Sequence, residues 1–437
     1  MRALRVFIGQ RLVGELLENN DLWGFDYSEE WQAAPDGFSL SPAISRRDKI
    51  HRDGATQRPV QWYFDNLLPE EQLRTTIAQE AKLPADDAFA LLEWFGAESA
   101  GSLTLVLAGE APSETGELRL LDDAELSQRI ANLPDQSLMR QAPKRMSLAG
   151  AQHKLLVVAR GAALFEPVGE TPSTHILKPE HPLKATYPAS VFNEYLTMKL
   201  AGMAGLDVPD VQMRFVPQPV YIIRRFDRSM STAVRAEPVA RRLHIIDACQ
   251  LLNKARTFKH SGATVAALRD IVAATTNKAA TRQRLFSWLA FNTVISNDDC
   301  HLKNLSFLVD HDGIALAPHY DLLSTGAYHT KALADGHATW PNVPMAIPLP
   351  GAKTFGEVTA EKLLRAADEL ELPRAVATRL LTRMKSDIQT GLWAIKSHHE
   401  QLMKDATAEL APAFAQSSQL LRVIEHITLP HMLKLLG

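Results

Sequence analysis

Ser296-Asn-Asp-Asp-Cys-His-Leu-Lys-Asn-Leu-Ser-Phe307 is the stretch on which the reading of this 437-residue chain turns. Before it runs an amphipathic helical segment in which Leu285, Trp288 and Leu289 share one face. After it comes an apolar, strand-like run from Leu305 to Val309. The stretch is therefore a polar loop held between a helix and a strand. Its residue types carry chemistry: the Asp299 carboxylate can take or orient a hydroxyl proton, and Lys303 can neutralise charge on a phosphoryl group in transit. The amide oxygen of Asn304, with a further carboxylate, can hold Mg²⁺. Read alone, the stretch is equally a polar surface turn, because Asp and Asn are common turn residues.

The spacing Asp-x₄-Asn is that of the base and the metal-binding Asn in kinase catalytic loops. Other stretches fall around it in kinase order. Downstream, Leu316-Ala-Pro-His-Tyr-Asp-Leu-Leu323 ends a strand-like run on Asp321, in place for a second metal carboxylate, although Leu-Leu follows it and not Phe-Gly. Upstream, Thr174-His-Ile-Leu-Lys-Pro179 puts Lys178 on one strand face with Ile176 and Thr174. There the ammonium can grip nucleotide phosphates, and the alternative is a solvated edge-strand Lys. Glu194, in the following helix, is a candidate orienting partner. Further upstream, Met146-Ser-Leu-Ala-Gly-Ala-Gln-His-Lys154 is a run of small residues ending in Lys. Small side chains let backbone N–H groups converge on an anion, though a tight turn between strands explains the same run. A rival arrangement would gather His301, His311 and His319 with Asp298, Asp299 and Asp321 around a hydrolytic metal, but no HExxH or comparable spacing supports it.

Composition bounds the rest. Lys and Arg total 47 against 50 Asp and Glu, a formal charge of −3 that gives no reason to expect a nucleic-acid coat or a membrane-surface protein. With 46% hydrophobic residues the chain has ample apolar surface to bury, which excludes a disordered protein. Two cysteines, Cys249 and Cys300, exclude a disulfide scaffold and a Cys-based zinc module. The start of the chain lacks a signal-peptide pattern, and no apolar run reaches the ~18 residues of a membrane helix, so a cytoplasmic protein is expected.

Along the chain, Leu4 to Leu17 reads as two strands around Gly9-Gln10, and Gln61 to Ala81 as helical. Residues 108–120 read as an exposed connector. Strand-like runs at 155–158, 175–178 and 220–223 enclose a helix from Ala189 to Ala204. Beyond 240 the pattern is mainly helical, with Val376, Leu380, Met384 and Ile388 as a core stripe. The expected fold is α+β and bilobal, protein-kinase-like. It comprises an N-terminal subdomain over 1–110, a mixed ATP lobe over 111–228 and a helical lobe over 229–437.

Taken together, Ser147-Leu-Ala-Gly-Ala-Gln-His-Lys154, Ser173-Thr-His-Ile-Leu-Lys178, Asn193-Glu-Tyr195, Arg225-Phe-Asp-Arg228, Asn297-Asp-Asp-Cys-His-Leu-Lys-Asn304 and Pro318-His-Tyr-Asp-Leu-Leu-Ser324 resemble the HipA family in order and spacing. Phe64-Asp-Asn-Leu-Leu-Pro69 and Gly96-Ala-Glu-Ser-Ala-Gly-Ser-Leu-Thr-Leu105 extend the resemblance to the N-terminal part. HipA proteins are serine/threonine kinase toxins of type II toxin–antitoxin modules, with a fold related to that of the phosphatidylinositol 3- and 4-kinases.

The resemblance implies ATP and Mg²⁺ as cofactors. Ser147 is similar to the family's autophosphorylated serine, and Ala149, Gly150, Ala151, Gln152 and Lys154 to its phosphate loop. Lys178 resembles the ATP-phosphate lysine, while Arg224 and Phe226 fall where the hinge backbone meets adenine. His301 joins the nucleotide-binding set. Asp299 resembles the catalytic base, assisted by Lys303, and Asn304 and Asp321 the Mg²⁺ ligands. The implied target is a serine of an essential translation enzyme, typically an aminoacyl-tRNA synthetase. The implied partner is a HipB-type helix-turn-helix antitoxin, with operator DNA reached through that complex and no membrane partner. Departures are His153 and Arg224, where the family often has Glu, and Cys300 in place of Gly, which leaves the loop backbone less free. A catalytically silent corepressor and a small-molecule or lipid kinase are the competing functions.

Overall fold

The chain reverses at Gly9, whose φ of +58° is the left-handed value glycine takes without a Cβ penalty. Strands Arg2–Ile8 and Arg11–Asn19 pair antiparallel across that turn, as the sequence led one to expect. They lie within a five-stranded antiparallel sheet ordered Ile50–Arg52, Leu22–Tyr27, Arg11–Asn19, Arg2–Ile8 and Leu103–Leu107. Cross-strand pairs Leu4–Leu16 and Val6–Leu105 are buried and anchor its core face. The structure, a computed structural model, describes residues 1–96, 98–146, 149–231 and 239–437.

Contacts divide the chain into two units, each assembled from three stretches. The first takes Met1–Lys178, Arg224–Lys259 and Ser306–Ala317; the second takes Pro179–Ile223, His260–Leu305 and Pro318–Gly437.

In the first unit, helices Pro59–Asp65, Glu71–Ala81 and Ala88–Phe95 follow the opening strands. Asp53 accepts bonds from Val60 N and Gln61 N and so caps the first of them. The helical region expected over 61–81 is split near Pro69, which lacks the N–H a continuous helix would need. A second antiparallel array runs Gly116–Leu121, Ala163–Gly169, Leu155–Arg160 and His175–Pro179. The expected connector over 108–120 is thus corrected: from Gly116 it is a strand. Its residues up to Leu120 are mostly exposed, and this polar edge character makes it read as a linker. A third sheet pairs Ile245–Asp247 with Ser306–Asp310 and that strand with Gly313–Leu316. These strands interrupt the helical pattern expected beyond 240.

The second unit is mainly helical: Ser190–Met203, Val265–Ala274, Lys278–Val294, Ala360–Glu369, Arg374–Lys404, Ala411–Val423 and Leu429–Leu435. Strand Val211–Phe215 pairs with Pro219–Arg224. Leu285, Trp288 and Leu289 are fully buried, as expected. On Arg374–Lys404 the buried stripe is Ala377, Leu381, Met384 and Ile388, while Val376 and Leu380 are half-buried. Steps of four alone drift around a helix, and alternating steps of four and three keep one face inward. Among the described residues no helix is long and apolar enough to cross a membrane.

Candidate functional site

Helix Lys278–Val294 ends where Ser296 adopts φ +58°, the left-handed stop usually given to glycine. The loop that follows is built from side-chain amides. Asn297 Oδ1 accepts the Asp299 N–H at 3.0 Å, and Asn297 Nδ2 donates to Asn292 Oδ1 at 2.8 Å. Asn304 Nδ2 donates to the Asp299 carbonyl at 2.8 Å, which spans the five-residue interval and leaves the Asn304 amide oxygen as its acceptor. The Asp299 side chain is 56% exposed. Lys303 and Asn304 are buried. Cys300 is buried too; its thiol donates to the Asn297 carbonyl, and burial, then Asp299 and Asp298, push its pKa up. It acts as a packed loop staple.

A second loop laces onto the first within the same unit. Tyr320 Oη donates to the Lys303 carbonyl at 2.9 Å, Asp298 N donates to Thr325 Oγ1 at 2.7 Å, and Gly326 N donates to the Ser296 carbonyl at 2.7 Å. Asp321, beside Tyr320, takes φ +58°, a value uncommon for a residue with a side chain. From helix Ser190–Met203 the buried Asn193 clamps this loop with both amide atoms, donating to the Ser324 carbonyl at 3.1 Å and accepting Ser324 N at 2.8 Å. The buried Tyr221 hydroxyl titrates well above its ordinary range because of burial, then the Glu194 and Asp321 charges. His329 Nε2 meets Asp298 Oδ2 at 2.9 Å, which raises the imidazole pKa.

His301 is buried on the first of these loops, and the other sequence-predicted phosphate and adenine residues belong to the first unit. Lys154 Nζ donates to the Ala149 carbonyl at 2.6 Å, passing over Gly150 at φ +111°. That φ strains any residue with a side chain and suits glycine, while the ammonium, 2.7 Å from where a Cβ would lie, is a flexible chain end that can shift. Ala149, Ala151 and Gln152 are half-buried, and His153 is buried. Lys178 is 8% exposed, which rules out the solvated edge-strand reading. Arg224 is exposed and Phe226 half-buried. Ser147 lies outside the described residues.

Beside Phe226 sits an ion network that no local sequence pattern announces. Fully buried Glu98 takes Lys144 at 2.9 Å, Arg228 at 2.6 Å, Arg225 at 3.3 Å and the Ser173 hydroxyl at 2.7 Å. Arg225 also pairs with Asp227 at 2.6 Å. Burial opposes ionisation of Glu98, yet the surrounding cations hold its pKa well below the carboxylate range.

The rival hydrolytic cluster is not assembled. His319 is buried beside Trp288 with its pKa driven down to about 3 by burial and then Arg284, and His311 belongs to the other unit. Among the described residues, the donor groups that gather are His260, Asp299 and His301, and separately Asp310, His311 and Asp312.

Comparison with known proteins decides the lineage. Residues 146–392 match the HipA-like C-terminal domain, and residues 4–106 match the HipA N-terminal domain. The chain belongs to the HipA family. A putative kinase of Sinorhizobium fredii, Y4mE, is 35% identical over 75% of this chain and 78% of that protein. The serine/threonine-protein kinase toxin HipA of Shewanella oneidensis is 29% identical over 87% of this chain and 86% of the toxin. A solved complex of Shewanella oneidensis HipA, HipB and operator DNA includes a chain with a TM-score of 0.76 and 27% identity. The alignment covers 97% of this chain and 96% of that one. The α+β, kinase-like fold expected from the sequence is therefore the HipA fold.

Sequence reasoning missed three supporting residues. Asn193 was visible only within the family-like Asn193-Glu-Tyr195 segment, with no sign that it clamps a loop. Gly326 and Asn297 carried no local signal, since each acts through a partner distant in sequence or through a turn amide.

Proposed function

We propose that this chain is a serine/threonine protein kinase that uses ATP and Mg²⁺. One observation carries the reading: an exposed Asp299 carboxylate on a loop whose backbone is fixed by Asn297 and Asn304. A base so held meets a substrate hydroxyl with little reorganisation. Asp299 accepts the proton of the attacking serine, and Lys303 offsets charge on the phosphoryl group. The Asn304 oxygen and the Asp321 carboxylate are the hard oxygen donors Mg²⁺ prefers. Mg²⁺ bound there would neutralise phosphate charge. Lys178, Lys154 and the 149–152 backbone hold the phosphates, the Arg224–Phe226 segment receives adenine, and His301 flanks the nucleotide.

The Shewanella relative is named a toxin, and its solved complex contains HipB and operator DNA. By that likeness the target is a serine of an essential translation enzyme, such as an aminoacyl-tRNA synthetase. A HipB-type antitoxin restrains the kinase, and operator DNA is reached through that complex. Phosphorylation of Ser147 adds up to about two negative charges to the phosphate loop and shuts the enzyme off.

Intact-mass measurement after incubation with MgATP tests the kinase reading. Wild type gains phosphoryl groups and Asp299→Asn gains none, with unchanged circular dichroism. Full autophosphorylation by Asp299→Asn rejects it. For the off-switch, Ser147→Asp should weaken ATP binding, and an unaltered affinity would refute self-inactivation.

A further inference from the structure

His260 has no part in the proposed phosphoryl transfer, yet it stands beside the residue that would perform it. It sits in the turn ahead of helix Val265–Ala274, where Ala263 N donates to its carbonyl at 3.0 Å. Its ring meets that of His301 edge-on, centroids 4.7 Å apart. His301 Nε2 lies 3.9 Å from Asp299 Oδ1. One donor atom from each of the three side chains lies within 4.8 Å of the other two. All three belong to the second unit.

We propose that His260, His301 and Asp299 form a transition-metal site, with Zn²⁺ the fitting ion, whose occupation switches off the kinase. The assignment of inhibition rests on Asp299 being the base; the binding site does not. Two imidazoles and one carboxylate suit zinc and its neighbours, whereas Mg²⁺ favours oxygen ligands and keeps its waters. Zinc bonds of about 2.0–2.2 Å set tetrahedral ligand separations at roughly 3.3 Å. The donors must therefore close by about 1.5 Å at most, a rotamer adjustment open to His260 and Asp299, which are exposed. His301 is buried on a loop already fixed by Asn297 and Asn304, so one ligand is pre-positioned. The nearby Cys300 thiol is engaged with the Asn297 carbonyl and is not needed as a donor. A carboxylate bound to zinc loses most of its basicity, so the metal and the substrate proton compete for it.

The test uses the full-length, nucleotide-free protein with millimolar Mg²⁺ present and Zn²⁺ alone as probe. Calorimetric titration should show a site whose affinity falls at least about tenfold in His260→Ala, since even supporting residues around a metal are worth about 10–100-fold. Without Zn²⁺, His260→Ala should phosphorylate as wild type does. With Zn²⁺, wild type should lose activity over the range in which the site fills, and the variant should require at least about tenfold more metal. Equal zinc affinity in the two proteins overturns the site, and equal zinc sensitivity overturns the inhibition. Should neither protein transfer phosphate under any condition, the kinase reading fails while the titration still decides the metal site.

Discussion

Two histidines of the second unit respond to pH in opposite senses. His319 is buried against Trp288 and holds its pKa down to about 3, whereas an unfolded imidazole takes its proton near pH 6.5. The unfolded state therefore gains protons that the native ring refuses. The stabilising contribution is complete above about pH 6.5 and is lost as pH falls toward about 3. His329 beside Asp298 behaves inversely: its raised pKa gives stability that is full below about pH 6.5 and lost as pH climbs through the raised value. Melting temperatures across pH 4 to 8 should separate them. His319→Leu should flatten the acid limb, and His329→Gln should flatten the limb that falls as pH rises above about 6.5. Curves that superpose on wild type would refute both assignments.

The loops at 296–304 and 320–326 act as one element because of two positions that close contact makes intolerant. A Cβ on Gly326 would lie 2.6 Å from Ser296 Cβ and 2.9 Å from the Ser296 carbonyl. Gly326→Ala should therefore cost about 1–3 kcal/mol in urea unfolding and reduce phosphoryl transfer by displacing Asp298 and Asp299. Asn193→Ala removes both bonds to Ser324 and leaves buried partners unmet, again about 1–3 kcal/mol. If activity survives both substitutions undiminished, the lacing has no bearing on the site. This element also shows where sequence reading stops. The Asp299-to-Asn304 interval was legible because it is local and its spacing is chemical. The Asn193 clamp and the Gly326 approach were not, because each is set by a partner far along the chain. In the core stripe of Arg374–Lys404, Met384 and Ile388 were found, while Val376 and Leu380 fell one position short of Ala377 and Leu381 for a simpler reason: a run of fourth residues approximates a face that steps by four and three.

At the scale of the molecule, the fully buried Glu98 gathers three buried cations. Removing it leaves Lys144, Arg225 and Arg228 buried without their shared anion. Glu98→Ala should destabilise by about 3–5 kcal/mol in denaturant titration, while a neutral surface change such as Lys353→Gln should not register. A loss below about 1 kcal/mol would mean that water replaces the carboxylate. The α+β class and the strands at 155–158, 175–178 and 220–223 were legible from hydrophobic pattern. The network was not, because Gly96-Ala-Glu-Ser-Ala100 and Arg225-Phe-Asp-Arg228 are unremarkable until the fold brings them together.

The way the units share the chain has a consequence for its birth. The first unit is complete only when Ser306–Ala317 arrives, and strand Ile245–Asp247 finds its mate there. A nascent chain leaving the ribosome with the first 178 residues exposed holds most of that unit but cannot finish it. It must wait through two stretches destined for the other unit. Arrested translation intermediates should accordingly stay protease-sensitive around Ile245–Asp247 until residue 317 has emerged, so that a ribosome stalled midway would carry an unfinished scaffold and no assembled 296–304 loop.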